Sequence, residues 1–246
     1  MDQKTIRGKT ALITGAAKRI GRAMAIALAD EGVNIVVHYR ASENEAKQLL
    51  VELDRRGVKS WAMRADFGQR KDYETLIDRA ARAAGSLDIL VNNASVFAAE
   101  KLDELTLDTL TSNIKLNAWV PFVLSREFAK RIGRGKIINL LDTRIQDNDR
   151  YHVGYLLSKL MLAEFTRMTA LAYAPDITVN GVAPGLILPP AGKDENYVDR
   201  LKKTVPLKRR GSPEDVAEAL VFLVKSDFIT GQVIFVDGGR HLTEYT

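Results

Sequence analysis

Short apolar, β-branched runs alternate with longer amphipathic stretches along the whole chain. TALIT precedes a helix-like run at Ile20–Asp30, NIVVHY precedes Glu43–Arg56, and KSWAMRA precedes Asp72–Ala84. LDILVNNA, a helical stretch to about Arg131, GKIINLL, Gly154–Tyr173, ITVNGVAPG, Pro213–Lys225 and QVIFVDGG continue the pattern. Such alternation predicts an α/β fold: one doubly wound parallel sheet of about seven strands with helices on both faces. ALI, IVV and IIN are continuously apolar, as strands covered on both sides must be.

The 246 residues, 46% hydrophobic and 27% charged, supply one core, and we expect a single domain over 1–246. No linker, repeat or low-complexity segment interrupts it. With no cysteine there is neither a disulfide framework nor a thiolate metal site, and His38, His152 and His241 show no ligand spacing, so no metal is expected. No apolar run is long enough for a signal h-region or a membrane span, and the expected location is cytoplasmic. The net charge of +5 is spread among interleaved Asp and Glu, which speaks against nucleic acid. One irregular stretch, Leu186–Lys208, is too long for a simple turn and reads as a substrate lid with a short helix.

Thr14-Gly15-Ala16-Ala17-Lys18-Arg19-Ile20-Gly21 lies between the first strand and the first helix, where a dinucleotide-binding turn of the Rossmann type belongs. Gly15 permits a tight turn, Gly21 a close helix–strand approach, and the helix N-terminus offers free N–H groups to a pyrophosphate. Arg19 stands where the middle glycine is usual. The second strand ends in His38-Tyr39-Arg40-Ala41-Ser42. Arg40 and Ser42 suit a 2′-phosphate, whereas an acidic residue would suit NAD, so the expected cofactor is NADPH. Asp66 ends the third strand, and Asn93, Ala94 and Ser95 end the fourth, where ligands bind in such sheets.

Tyr155 and Lys159 stand at i and i+4 and share a helix face. An ammonium about 4 Å from a phenol contributes about 4 kcal/mol at an effective dielectric of about 20, enough to bring its pKa from about 10 toward about 7. Tyr155 then becomes a proton donor for hydride reduction of a C=O or C=N bond. An aspartate, Asp142, follows the preceding strand.

Through TGAAKRIG, Asp66, NNAS, Asn117 in KLNA, the Tyr155/Lys159 pair, Pro184-Gly185 and VDGG, the chain resembles a short-chain dehydrogenase/reductase from end to end. That family usually has serine where Asp142 stands. Pteridine reductases within it carry an aspartate there, the arginine of TGxxKRxG and a phenylalanine after NNAS, matched here by Asp142, Arg19 and Phe97. The resemblance implies catalysis by Asp142, Tyr155 and Lys159, with Asn117 supporting a water relay. It implies cofactor contacts from Gly15, Lys18, Arg19, Ile20, Gly21, Tyr39, Arg40, Ser42, Asp66, Phe67, Asn93, Ala94, Ser95, Tyr155, Lys159, Pro184 and Gly185. Substrate contacts are implied for Arg19, Ser95, Phe97, Asp142, Tyr155 and Leu186, with Phe97 sandwiching a pterin against the nicotinamide. Asp142 would accept from the pterin or share a proton with Tyr155. The sequence departs from protozoal pteridine reductases at His152, where they have tyrosine, and in the second-strand motif, which has one residue fewer between tyrosine and serine. The expected activity is NADPH-dependent reduction of dihydropteridines such as dihydrobiopterin, dihydromonapterin or dihydrofolate. The alternatives are a carbonyl reductase of oxoacyl thioesters, sugars or alcohols, and a non-catalytic NADP sensor. The resemblance also implies a homotetramer built through the long helices, and the stripe Leu160, Met161, Phe165 and Met168 is compatible with one.

Overall fold

In a computed structural model, which describes residues 5–190 and 194–243, β1 (Thr10–Ile13) enters the middle of a sheet and α1 (Arg19–Asp30) leads out of it. The pattern repeats through β2 (Asn34–Tyr39), α2 (Glu43–Asp54), β3 (Ser60–Arg64), α3 (Arg70–Ala84) and β4 (Ile89–Asn92). There follow α4 (Leu107–Ile114), α5 (Val120–Arg131), β5 (Gly135–Leu140), α6 (Val153–Ala172), β6 (Ile177–Pro184), α7 (Glu195–Leu201), α8 (Pro213–Lys225) and β7 (Val233–Val236). The seven strands run parallel in the order β3-β2-β1-β4-β5-β6-β7, so the direction of progression reverses between β1 and β4. That reversal opens a crevice at the carboxyl ends of the strands.

The period of two along each strand builds the layers. Ala11 and Ile13 of β1 pack with Met24, Leu28, Leu49 and Leu220, while Leu12 between them faces Leu76, Ile77, Val123 and Phe128 on the other side. All of these are essentially removed from water. Each such side chain contributes about 1.5–3 kcal/mol on burial, so the central strands cannot slip by one residue without exposing both layers. The expected doubly wound α/β sheet with helices on both faces is what the chain forms. Ser212 and Asp215 cap α8 reciprocally, and Pro213 supplies its first turn. Among the described residues no helix is long and apolar enough to cross a membrane.

The sequence reads as continuous helix up to Arg131, but the structure breaks it. Lys115–Trp119 forms a π-turn between α4 and α5, with the Val120 N–H bonded back to the Lys115 carbonyl. Pro121 lacks the N–H that an α-helix would direct at the carbonyl four residues earlier, on Asn117. In Leu186–Lys208, α7 and a 3-10 turn at Lys202–Thr204 supply the expected short helix, and residues 191–193 lie outside the described ones.

His38 is buried in β2 and stacks on Phe67, with ring centroids 4.5 Å apart. Its Nδ1 accepts from the Gly15 N–H at 3.0 Å, which leaves Nε2 to donate to the Ala65 carbonyl at 3.1 Å. Burial lowers its pKa from 6.5 to about 4, the Ala65 carbonyl opposing the shift only in part. The unfolded chain therefore takes up the proton first. Stability is full above pH 6.5 and declines as pH falls through about 4, by about 3 kcal/mol for this residue. In thermal denaturation across this range, His38→Phe is expected to be less stable at neutral pH but to lose less stability on acidification than the parent.

Candidate active site

The crevice between β1 and β4 is held by side chains at the strand ends. The Thr14 hydroxyl accepts the N–H groups of both Asn93 and Ala94 at 2.9 Å. Asn93 returns the contact, its Nδ2 donating to the carbonyls of Thr14 at 2.8 Å and Gly15 at 3.2 Å. Gly15 has φ +64°, and a Cβ on Gly21 would fall 2.3 Å from the Gly15 carbonyl oxygen. Only a residue without a side chain lets α1 approach so closely. Arg19 takes φ +57°, the left-handed conformation that the missing middle glycine would adopt freely. Its Nη2 donates to the Pro189 carbonyl at 2.7 Å, linking the turn to the 186–208 segment.

The resulting cleft has a volume of about 420 Å³. Gly15, Lys18, Arg19, Ile20, Gly21, Tyr39, Arg40, Ser42, Asp66, Phe67, Asn93, Ala94 and Ser95 all line it. At one end Lys18 pairs with Glu45 at 2.8 Å, and Arg40 is exposed beside Ser42, the N-cap residue of α2, whose side chain makes no capping bond. Arg64 Nε reaches the Arg40 carbonyl at 3.3 Å and adds a second guanidinium there. Asp66 Oδ1 accepts from the Gly68 N–H at 2.9 Å. Six more residues, Ala17, His38, Ala41, Ala65, Val96 and Leu116, complete the wall. Of these His38 has the clearest sequence signal, a lone imidazole in a continuously apolar strand.

Ser95 and Val96 lead from this cleft to the residues expected to do chemistry. Asp142 follows β5 as N-cap of a 3-10 turn, Thr143–Gln146, its Oδ1 accepting the Arg144 N–H at 2.9 Å. Its Oδ2 accepts the Tyr155 hydroxyl at 2.8 Å. The bond runs from the phenol O–H to the carboxylate. Phe97, 36% exposed, meets Tyr155 edge-on at 4.7 Å and stacks on His152 at 4.2 Å. One face of Phe97 is therefore covered by the residue that replaces tyrosine.

One expectation needs correction. Lys159 does not lower the phenol: its Nζ donates to the Leu140 carbonyl at 2.6 Å and lies 5.6 Å from the Tyr155 ring centroid. Burial and the Asp142 carboxylate push the Tyr155 pKa well above 10, with only the Arg144 charge opposing them, and burial lowers Lys159 to about 8. Leu186 packs in a small apolar cluster with Val198 and Val205, next to the end of β6. Pro184 and Gly185 end β6 beside β7. A Cβ on Gly185 would fall 2.5 Å from that of Asp237, which in turn accepts from the Thr143 hydroxyl at 2.5 Å.

Asn117 lies in the π-turn, fully buried. Its Oδ1 accepts from the Val96 N–H at 2.9 Å, while Nδ2 donates to the Val96 carbonyl at 3.0 Å and to Ser158 Oγ at 3.0 Å. Its amide fixes the Val96 backbone beside Phe97 instead of reaching Tyr155. Asn117→Ala removes the partner of the half-buried Val96 N–H and carbonyl and one contact of Ser158, and is expected to cost about 2 kcal/mol in urea denaturation.

Residues 15–241 match the family model described as enoyl-(acyl carrier protein) reductase. Glucose 1-dehydrogenase 2 of Bacillus subtilis is 32% identical over 97% of each chain. The 3-oxoacyl-[acyl-carrier-protein] reductase of Staphylococcus epidermidis is 32% identical, over 95% of this chain and 99% of its own. The crystal structure of FolM alternative dihydrofolate reductase 1 from Brucella canis, complexed with NADP, is 29% identical and superposes with a TM-score of 0.93, over 99% of this chain and 98% of that one.

Proposed function

The chain belongs to the short-chain dehydrogenase/reductase family, an oxidoreductase family with a nicotinamide cofactor, and on that premise we propose that it is an NADPH-dependent reductase of dihydropteridines. The observation that carries this reading is the Tyr155–Asp142 hydrogen bond, 2.8 Å long, with Phe97 edge-on to the same phenol. An ionisable pair beside an aromatic ring suits a flat, nitrogen-rich heterocycle better than an acyl chain. The NADP-bound alternative dihydrofolate reductase, with its TM-score of 0.93, supports the same class.

The cleft fits a dinucleotide, since the first turn of α1 lines it with Gly15, and Gly21 lets that helix end lie directly against the Gly15 carbonyl, where a helix N-terminus can receive a pyrophosphate. Arg40, Ser42 and Arg64 gather at the end where a 2′-phosphate would lie, and they favour NADPH over NADH. When bound, a reduced nicotinamide would supply the hydride for the carbon of a substrate C=N bond. Tyr155 gives the nitrogen its proton, and the O–H electron pair remains on the phenolate, which water then reprotonates. Asp142 aims the hydroxyl. Lys159, its pKa lowered by burial to about 8, donates to the Leu140 carbonyl and would have to leave it to hold a ribose hydroxyl. Phe97 is the ring against which the heterocycle would rest, with Ser95 and Arg19 at its border. Asn117 serves by holding Val96.

The oxoacyl and glucose relatives favour a second reading, in which Asp142 replaces a serine at a ketone. Residence in the cytoplasm and a homotetramer belong to the proposal as well. Leu160, Met161 and Met168 are 37–57% exposed along α6, where a partner helix would cover them.

Loss of reduced-nicotinamide absorbance with dihydrobiopterin and dihydrofolate tests the reading. Turnover is expected with NADPH, falling by about a hundredfold or more in Tyr155→Phe and strongly in Asp142→Ser. Turnover of an oxoacyl thioester or a sugar, without pterin turnover, overturns it in favour of the ketone. In a parallel measurement Arg40→Asp is expected to raise KM for NADPH about tenfold or more and to narrow the preference over NADH.

A further inference from the structure

Arg144 is assigned no role by the family motifs, yet it occupies the centre of the catalytic wall. Its Nη1 lies 3.3 Å from Asp142 Oδ2 and 3.4 Å from Oδ1, its Nε lies 2.8 Å from Asp149 Oδ2, and its Cζ stands 5.1 Å from the Phe97 ring centroid. Asp149 Oδ2 also holds His152 Nδ1 at 2.8 Å, and His152 stacks on Phe97. Phe97 touches Tyr155, and Tyr155 returns to Asp142. The six side chains form a closed circuit, so the rotamer of each is set from two directions.

We infer that Arg144 is a positioning residue for the reduction, with Asp149 as its anchor: together they hold the Asp142 carboxylate on the Tyr155 hydroxyl and keep Phe97 upright beside it. The inference rests on Tyr155 being the proton donor of the proposed reaction, and not on which substrate accepts the proton. Three observations support it. The side chains of Arg144, Asp142 and Asp149 are 19%, 14% and 11% exposed, so these pairs are better shielded from water than surface ion pairs, which are worth about 0–1 kcal/mol. Two carboxylates face one guanidinium; without it they would repel each other, and Asp142 would turn to solvent and release the phenol. The Arg144 charge is also the one influence that lowers the Tyr155 pKa against burial and Asp142. A planar fork is required, because a lysine ammonium is a point charge and cannot span both carboxylates in a fixed geometry. Asp149 is suited to its part. Burial raises its pKa, but hydrogen bonds from His152 and the Tyr151 N–H and the Arg144 charge outweigh that and bring it to about 2.

The circuit could brace the loop without serving the reaction, and the test separates these roles. Arg144→Gln, Arg144→Lys and Asp149→Asn are compared with Arg150→Gln, an exposed arginine whose Cζ lies 6.0 Å from the Tyr151 ring. In Arg144→Gln kcat is expected to fall roughly ten- to a hundredfold, with KM for NADPH within about twofold, as for a misplaced donor. The solvent deuterium isotope effect on kcat is expected to rise, because proton transfer becomes a larger part of the barrier. Arg144→Lys should recover part of the rate, and Asp149→Asn should move the same quantities in the same direction by less. The 13Cζ resonance of Tyr155, which reports its hydrogen bond to Asp142, should shift in the Arg144 variants and not in Arg150→Gln. A lowered melting temperature with the isotope effect and the Tyr155 resonance unchanged would overturn the inference and leave a brace. If Arg144→Gln fails to fold, Arg144→Lys and Asp149→Asn decide by the same readouts. If the parent turns over neither dihydropteridines nor oxo substrates, the functional reading falls, and the Tyr155 resonance still decides the positioning role.

Discussion

The Thr14 hydroxyl holds the ends of two neighbouring strands together, and the site depends on it. By accepting the N–H groups of Asn93 and Ala94 it fixes β4 to β1 at the point where strand order reverses. From there one direction leads through Gly15 and His38 to the phosphate turn, and the other through Val96 and Asn117 to the helix that carries Tyr155. A single small side chain thereby keeps the cleft and Tyr155 in register, although they come from opposite halves of the chain.

The environment of Tyr155 differs from what helical spacing suggests. Spacing puts an ammonium one turn away; the fold turns that ammonium to the Leu140 carbonyl and gives the phenol to a carboxylate. Burial and Asp142 both favour the protonated phenol, so in this arrangement the side chain is a well-filled proton reservoir and Arg144 keeps it from holding that proton too strongly. Acidity at this position is a balance among several charges, not the result of one pair.

How much was legible in the sequence follows from how local each signal is. Period-two strands, Gly15 and Gly21 around a strand–helix turn, and the Tyr155/Lys159 spacing depend on neighbours in the chain, and thirteen of the seventeen residues expected at the cofactor line one crevice, Tyr155, Lys159, Pro184 and Gly185 standing outside its wall. The π-turn was partly legible, since Pro121 stands four residues after Asn117, but the pattern of apolar residues runs through it unbroken. His38 gave no periodic signal because its partners, Gly15 and Phe67, belong to two other segments. Arg144, Asp149 and His152 lie in a loop with no fixed spacing, and their meeting depends on the path between β5 and α6. The packing of Leu186 with Val198 and Val205 was not legible, because those partners lie beyond the end of β6 in an irregular segment.

Arg19 carries a cost that its neighbours do not. A non-glycine residue at φ +57° is disfavoured by about 1 kcal/mol or more, and the glycine usual at this point in such turns would relieve it. The guanidinium it presents to the lid segment and the phosphate turn is what that strain maintains. A glycine at this codon would therefore trade backbone strain against the bond to the Pro189 carbonyl, and the balance of the two sets whether heat resistance gains or loses by it.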